Sequence, residues 1–159
     1  MFNIVLLNPQ IPQNTGTIGR MCVNANLKLH IIKPIMFDIS EKAVRRAGLD
    51  YWHKLDLSVW ESLDEFLSKN LQHKDRFFFA TTKTNQLYFD AKYLAGDFIF
   101  FGAESTGLPS ELMNMSPQNK VTIPMGKNGR SLNQAMSVGI IAYEAIRQNI
   151  QNFDFRVYV

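Results

Sequence analysis

The chain has 159 residues, 46% of them hydrophobic, with a formal charge of +3, which suits a nucleic-acid partner without specifying one. That length favours one domain with a sizeable core. The lone Cys22 excludes an internal disulfide framework and points to a reducing, cytoplasmic setting. No apolar run is long enough to span a bilayer and the first ten residues lack a signal-peptide pattern; His30, His53, His73 and Cys22 have no ligand spacing, so no metal is expected.

Residues 2–7 read as a buried strand, and the proline-containing loop 8–13 stops it. Asn14 or Thr15 is a candidate cap for the helix that follows. There Ile18, Met21, Cys22 and Ala25 form an apolar stripe, and Arg20 lies off it. Residues 29–32 read as a second strand stopped by Pro34, which completes a β-α-β opening typical of a parallel sheet. Ser40 is placed to cap a short helix carrying Lys42, Arg45 and Arg46 and ended by Gly48. A third strand is expected over 55–60, and Leu63, Phe66 and Leu67 mark a helix with one buried face. Residues 76–80 form an aromatic-rich strand, followed by a polar loop over 81–86. Residues 97–101 form another strand, which runs into the loop 102–109. Pro109 or Ser110 begins a brief helix to about Met115. Residues 121–123 read as the last strand, closed by Pro124. With no repeat, linker or low-complexity segment, one α/β domain spanning 1–159 is the expectation.

The helix after that strand carries the most information. Ser131 and Gln134 stand at capping-box spacing before it. Leu132, Ala135, Met136, Gly139, Ala142, Tyr143 and Ile146 follow helical spacing, while Val138, Ile140, Ile141 and Ala145 are apolar outside that stripe. A helix apolar nearly all round is buried on more than one side. In so short a chain the second face is expected to meet another subunit.

Three loops, 8–16, 102–109 and 125–130, leave the carboxyl ends of expected strands, where open α/β sheets bind ligands. Residues 14–20, Asn-Thr-Gly-Thr-Ile-Gly-Arg, have glycine spacing that fits neither a phosphate-binding P-loop nor a dinucleotide fingerprint. Taken alone, Gly16 and Gly19 read as close helix packing, and Gly102 and Gly107 as tight turns.

Taken in order, the loops say more. Pro12-Gln-Asn-Thr-Gly-Thr-Ile-Gly-Arg20 is followed by Phe100-Phe-Gly-Ala-Glu-Ser-Thr-Gly-Leu-Pro109, then by Ile123-Pro-Met125, Ser131-Leu-Asn133 and Tyr143-Glu144. With Arg45-Arg-Ala-Gly-Leu-Asp-Tyr51, this series resembles the SPOUT superfamily of RNA methyltransferases. Within it, the chain looks most like the small 2′-O-ribose methyltransferases of the tRNA wobble nucleotide, cytidine or uridine. The resemblance covers nearly the whole chain.

The resemblance implies a mostly parallel sheet with helices on both faces and a deep C-terminal trefoil knot. It implies S-adenosylmethionine bound without metal, the anticodon stem-loop of tRNA as partner, and a homodimer with the active site near the subunit interface. It implies a single domain without a separate RNA-binding unit. Cofactor contacts carry over to Ala80, Thr81, Gly102, Glu104, Gly107, Ile123, Met125 and Ser131, and the functional positions to Asn14, Arg20, Glu104, Ser131 and Asn133. The family commonly assigns the motif-one arginine, here Arg20, to the 2′-hydroxyl proton. Because guanidinium groups stay charged at neutral pH, Arg20 is expected rather to clamp a phosphate, position the hydroxyl and stabilise developing alkoxide. Glu104 is expected either to orient motif-one groups or to face the cationic cofactor region. Lys42, Arg45, Arg46, Lys83, Lys127 and Arg130 are candidates for a basic RNA-facing surface. Tyr51 and Trp52 are expected as core aromatics rather than base-stacking groups. The other readings are a methyltransferase of this superfamily with a different RNA target, a catalytically silent RNA-binding dimer and a doubly wound nucleotide-binding regulator, the last disfavoured by the lack of either phosphate-loop fingerprint. The joint presence of Arg20, Glu104, Ser131 and Asn133 weighs against the second.

Overall fold

The computed structural model describes residues 1–40, 42–43, 50–129 and 131–153. The expected positions Arg45, Arg46, Gly48 and Arg130 lie outside the described residues. Six strands, β1 (Asn3–Leu7), β2 (Lys28–Ile32), β3 (Leu57–Trp60), β4 (Phe77–Ala80), β5 (Phe98–Phe101) and β6 (Lys120–Val121), form one sheet in the order β3-β2-β1-β5-β4-β6. Each of these neighbouring pairs is parallel, with Leu6 of β1 opposite Ile31 on one side and Phe101 on the other. The strands read as unbroken apolar runs because both faces are covered.

Alternate residues feed two cores. Ile4, Leu6, Leu29, Ile31 and Ile99 meet Ile18 and Cys22 of α1 (Pro12–Asn24) and Val138, Ile141, Ala142 and Ala145 of α4 (Gln134–Gln148). On the opposite face, Val5, Ile32, Phe98 and Phe100 meet Phe66 of α2 (Leu63–Asn70) and Leu112 and Met113 of α3 (Ser110–Met113). Phe66 stands edge-on to Phe98 and Phe100, with ring centroids 5.8 and 5.6 Å away. Helices therefore cover both faces of a parallel α/β sheet. No helix among the described residues is long and apolar enough to cross a membrane.

Several boundaries differ from the expected ones, each for a local reason. α1 begins at Pro12, so Asn14 and Thr15 lie inside its first turn and are buried rather than capping it. Proline suits the first helical position, where its fixed φ is helical and its missing N–H is not needed. β6 stops at Val121, short of Ile123, because the Thr122 amide turns to the Gln86 carbonyl at 2.9 Å. The Ser40 hydroxyl accepts from the Ala43 amide at 3.4 Å, and the helix expected to follow it lies largely outside the described residues.

The capping box expected between Ser131 and Gln134 does not form. Asn133 is the N-cap of α4, its side-chain oxygen accepting from the Ala135 and Met136 amides at 2.9 and 3.3 Å. Gln134 faces inward and donates instead to the part-buried Gly102 carbonyl at 2.8 Å, which supplies that carbonyl with a donor. The apolar stripe expected along this helix divides between two faces: its Ala142 and Ile146 are buried in the core beside Val138, Ile141 and Ala145 from outside it, whereas its Met136 and Tyr143 are 59% and 53% exposed.

Candidate active site

Chain ends of β1, β4, β5 and β6 converge on one side of the sheet, and the loops they release are tied to each other by side chains. The loop after β5 turns back at once. A Cβ on Gly102 would stand 2.1 Å from the carbonyl carbon of Gly107, so only glycine fits there. Gly107 holds φ 71°, and its amide donates to the Ala103 carbonyl at 2.8 Å. This tight return carries Glu104 toward α1.

Glu104 supplies what the start of α1 lacks locally. Ile11, at the N-cap position, offers no side-chain acceptor. Glu104 Oε2 accepts from the Gln10 amide at 2.8 Å, and its Oε1 accepts from the Ile11 amide at 3.2 Å and from Asn14 Nδ2 at 2.9 Å. A carboxylate at a helix N-terminus satisfies free amides and complements the helix dipole. Asn14 passes the connection on, its Oδ1 accepting from Asn133 Nδ2 at 2.9 Å. Glu104, Asn14 and Asn133 thus join the three loops in one hydrogen-bonded series that ends on the cap of α4.

These loops enclose a cleft of about 480 Å³. Ala80, Thr81 and Ile123 line it from the strand ends, Gly102, Glu104 and Gly107 from the β5 loop, and Met125, Ser131 and Asn133 from the segment before α4. Asn14 lines it from α1. The residues expected to touch a cofactor therefore share one cavity, together with four of the expected functional positions, Asn14, Glu104, Ser131 and Asn133.

Arg20 is not in that cleft. It lies six residues beyond Asn14, about 240° around the helix at 3.6 residues per turn, and is exposed. Its guanidinium carbon stands 4.9 Å from the centre of the Tyr51 ring, beside a second hollow of about 540 Å³. Tyr51 and Trp52 are half-buried.

The cleft suits a small organic ligand. Its volume falls within the roughly 300–1,000 Å³ usual for such sites. Leu108, Ile123, Leu132 and Ile141 give apolar walls, and the buried Gln134 Oε1, without a hydrogen-bond partner, adds an orphan acceptor. Among the described residues, no three His, Cys, Asp or Glu side chains are grouped to hold a metal ion. Sequence reasoning missed Gln134 as a structural tie of this cleft, since its carbonyl partner lies 32 residues away. It also missed the amides of Gln10 and Ile11, whose acceptor is 93 or more residues distant.

A profile of the SpoU rRNA methylase family matches residues 1–143. This chain belongs to that family. Among its relatives, a tRNA (cytidine(34)-2′-O)-methyltransferase of Burkholderia cenocepacia is 39% identical over 149 residues, covering 93% of this chain and 96% of the relative. A protein of the same name from Photorhabdus asymbiotica is 41% identical over 152 residues, covering 93% and 94%. A solved structure concerned with 2-OH methylation of C/U34 on tRNA matches with TM-score 0.86 and 38% identity, over 95% of this chain and 97% of that one. The resemblance to SPOUT methyltransferases read from the motifs is therefore a kinship across the whole fold. Its three loop motifs are the walls of the cleft, and the motif-one arginine, Arg20, borders the second hollow.

Proposed function

We propose that this protein is an S-adenosylmethionine-dependent methyltransferase acting on the 2′-oxygen of tRNA nucleotide 34, the wobble cytidine or uridine. The observation that carries this reading is near-full-length kinship with enzymes named for that reaction, on both sides of the alignment. When bound, S-adenosylmethionine supplies an electrophilic methyl group on a sulfonium. The backbone around Ala80, Thr81, Gly102, Gly107, Ile123, Met125 and Ser131 would hold it, and Gln134 Oε1 offers a further acceptor.

Because both oxygens of Glu104 are engaged with Gln10, Ile11 and Asn14, its part is to fix the first loop rather than to face the cofactor. Asn14 and Asn133 lock that loop to the start of α4. Ser131 presents a hydroxyl at the rim. A ribose hydroxyl is a weak nucleophile and has to be oriented. Arg20 does this by clamping a neighbouring phosphate, and its charge stabilises the oxygen as the proton leaves to water or phosphate.

The reading includes a homodimer formed through α4, whose exposed Met136 and Tyr143 flank the small Gly139. A dimer also reconciles the position of Arg20 with its role, because an arginine outside its own cleft can serve the cleft of the other subunit. The same reading gives the C-terminal part the family's deep trefoil knot, an expectation that rests on kinship with the family. One domain over 1–159 then meets tRNA through its own exposed cations, among them Lys42, Lys83 and Lys127. A tRNA substrate makes the cytoplasm its place of work.

The direct test uses purified protein, a methyl-labelled donor and tRNA with an intact anticodon stem-loop. Label should enter the ribose of nucleotide 34 and be absent when that nucleotide is 2′-deoxy. Label that persists on the deoxy substrate, or lies elsewhere, contradicts the reading.

A further inference from the structure

Arg20 is exposed, yet its guanidinium rests on one aromatic ring, 4.9 Å from the centroid of Tyr51. That ring is pinned at its far end. The Tyr51 hydroxyl donates to the Gly16 carbonyl at 2.6 Å, one helical turn before Arg20 on α1. Burial raises the pKa of the Tyr51 phenol, which keeps this hydroxyl a donor. The next residue, Trp52, is seated against the same helix, so closely that a Cβ on Gly19 would meet its ring at 2.8 Å. Gly16, Gly19 and Arg20 thus form one face of α1 that receives Tyr51 and Trp52.

An unsupported arginine samples many rotamers, and each productive contact has to recover that lost freedom. A cation lying over a fixed aromatic face is held there by the ring quadrupole while its N–H edges stay free for a phosphate or hydroxyl. We propose that Tyr51 is a positioning residue for Arg20, a pinned plate that holds the guanidinium ready for the ribose and its phosphate. The inference rests on the reading of Arg20 as the group that serves methyl transfer.

The test compares Tyr51→Phe, Tyr51→Leu, Arg20→Ala and the Arg20→Ala/Tyr51→Leu double variant. Tyr51→Leu should lower kcat about fivefold, with KM for tRNA within about twofold, as loss of an exposed cation–π contact implies. Tyr51→Phe keeps the ring face and should retain kcat within about threefold. The double variant should be no slower than Arg20→Ala, because Tyr51 acts through Arg20. In wild type and Tyr51→Phe, the Arg20 side-chain resonances should show an upfield ring-current shift that is lost in Tyr51→Leu. S-adenosylhomocysteine affinity should be unchanged throughout, which a general loss of fold would not allow; if Tyr51→Leu fails to fold, Tyr51→Met takes its place. Full turnover by Tyr51→Leu, additive losses in the double variant, or an unshifted Arg20 in wild type overturns the inference. The wild-type control separates the two readings, since failure of the proposed function appears there as absence of tRNA methylation.

Discussion

Asn133 Nδ2 donates to Asn14 Oδ1 at 2.9 Å, joining residues 119 positions apart in the chain. The same Asn133 caps α4 with its oxygen. One side chain thus starts the last helix and fixes it to the first turn of the first.

Asn133→Ala removes both roles. Loss of the cap alone costs about 0.5–2 kcal/mol. Thermal unfolding should shift down by a few degrees, on the order of 1–8 °C for that loss. Calorimetry should show weaker binding of S-adenosylhomocysteine, with or without chelator. Asn133→Asp keeps the capping oxygen but sets two acceptors against each other at Asn14. It should recover stability more than it recovers affinity. Equal recovery of both would contradict the tie between the loops.

Arg20 lies outside the hydrophobic cores, so Arg20→Ala should fold and bind S-adenosylhomocysteine normally. Methyl transfer should fall by about a hundredfold or more, as for loss of a transition-state donor. If Arg20 serves the other subunit's cleft, mixing Arg20→Ala with Asn133→Ala subunits restores one intact site per heterodimer. Activity that fails to rise on mixing would place Arg20 and the cleft in the same subunit's site.

His30 sets a pH dependence of folding. It is buried, with Trp60 Nε1 donating to its Nδ1 at 3.1 Å and its Nε2 3.2 Å from Asn3 Oδ1. Those partners fit a neutral ring protonated on Nε2. Burial, with a smaller contribution from Lys28, lowers its pKa from 6.5 to about 4. Between those values the unfolded chain binds the proton and the folded one does not. Its stability contribution is therefore complete above about pH 6.5 and is lost as pH falls toward 4, on the order of 3 kcal/mol in all. Urea unfolding across that window should show a shallower pH slope for His30→Gln than for wild type. Parallel slopes would remove His30 as the cause.

Much of this was legible in the sequence. The apolar runs of β1, β4 and β5 mark a doubly covered sheet, and the loop motifs name the residues of one cleft. What stayed hidden depends on distance in the chain. Gln134 reads as a capping-box partner because its neighbours suggest one, while its actual partner, the Gly102 carbonyl, belongs to another strand end. The Arg20–Tyr51 stack spans 31 positions without periodicity. Along α4 every apolar residue looks alike, so the core face and the exposed face of Met136 and Tyr143 separate only once the sheet is in place.

That exposed face gives the assembly prediction. Tyr143→Asp puts an unpaired charge into the proposed apolar interface, which is expensive to bury. Because Tyr143 is half exposed within the subunit, the variant should stay folded by circular dichroism. Light scattering should show it as a monomer, and methyl transfer should fail. A folded, fully active dimer would contradict the interface role.

The reaction and its target nucleotide can be read in tRNA by mass-spectrometric mapping of ribose methylation in a strain lacking this protein. The 2′-O-methyl group at wobble cytidine or uridine of particular tRNAs should be lost, and restored by the wild-type gene but not by Arg20→Ala. Unchanged methylation at that nucleotide in every tRNA would contradict the proposed reaction.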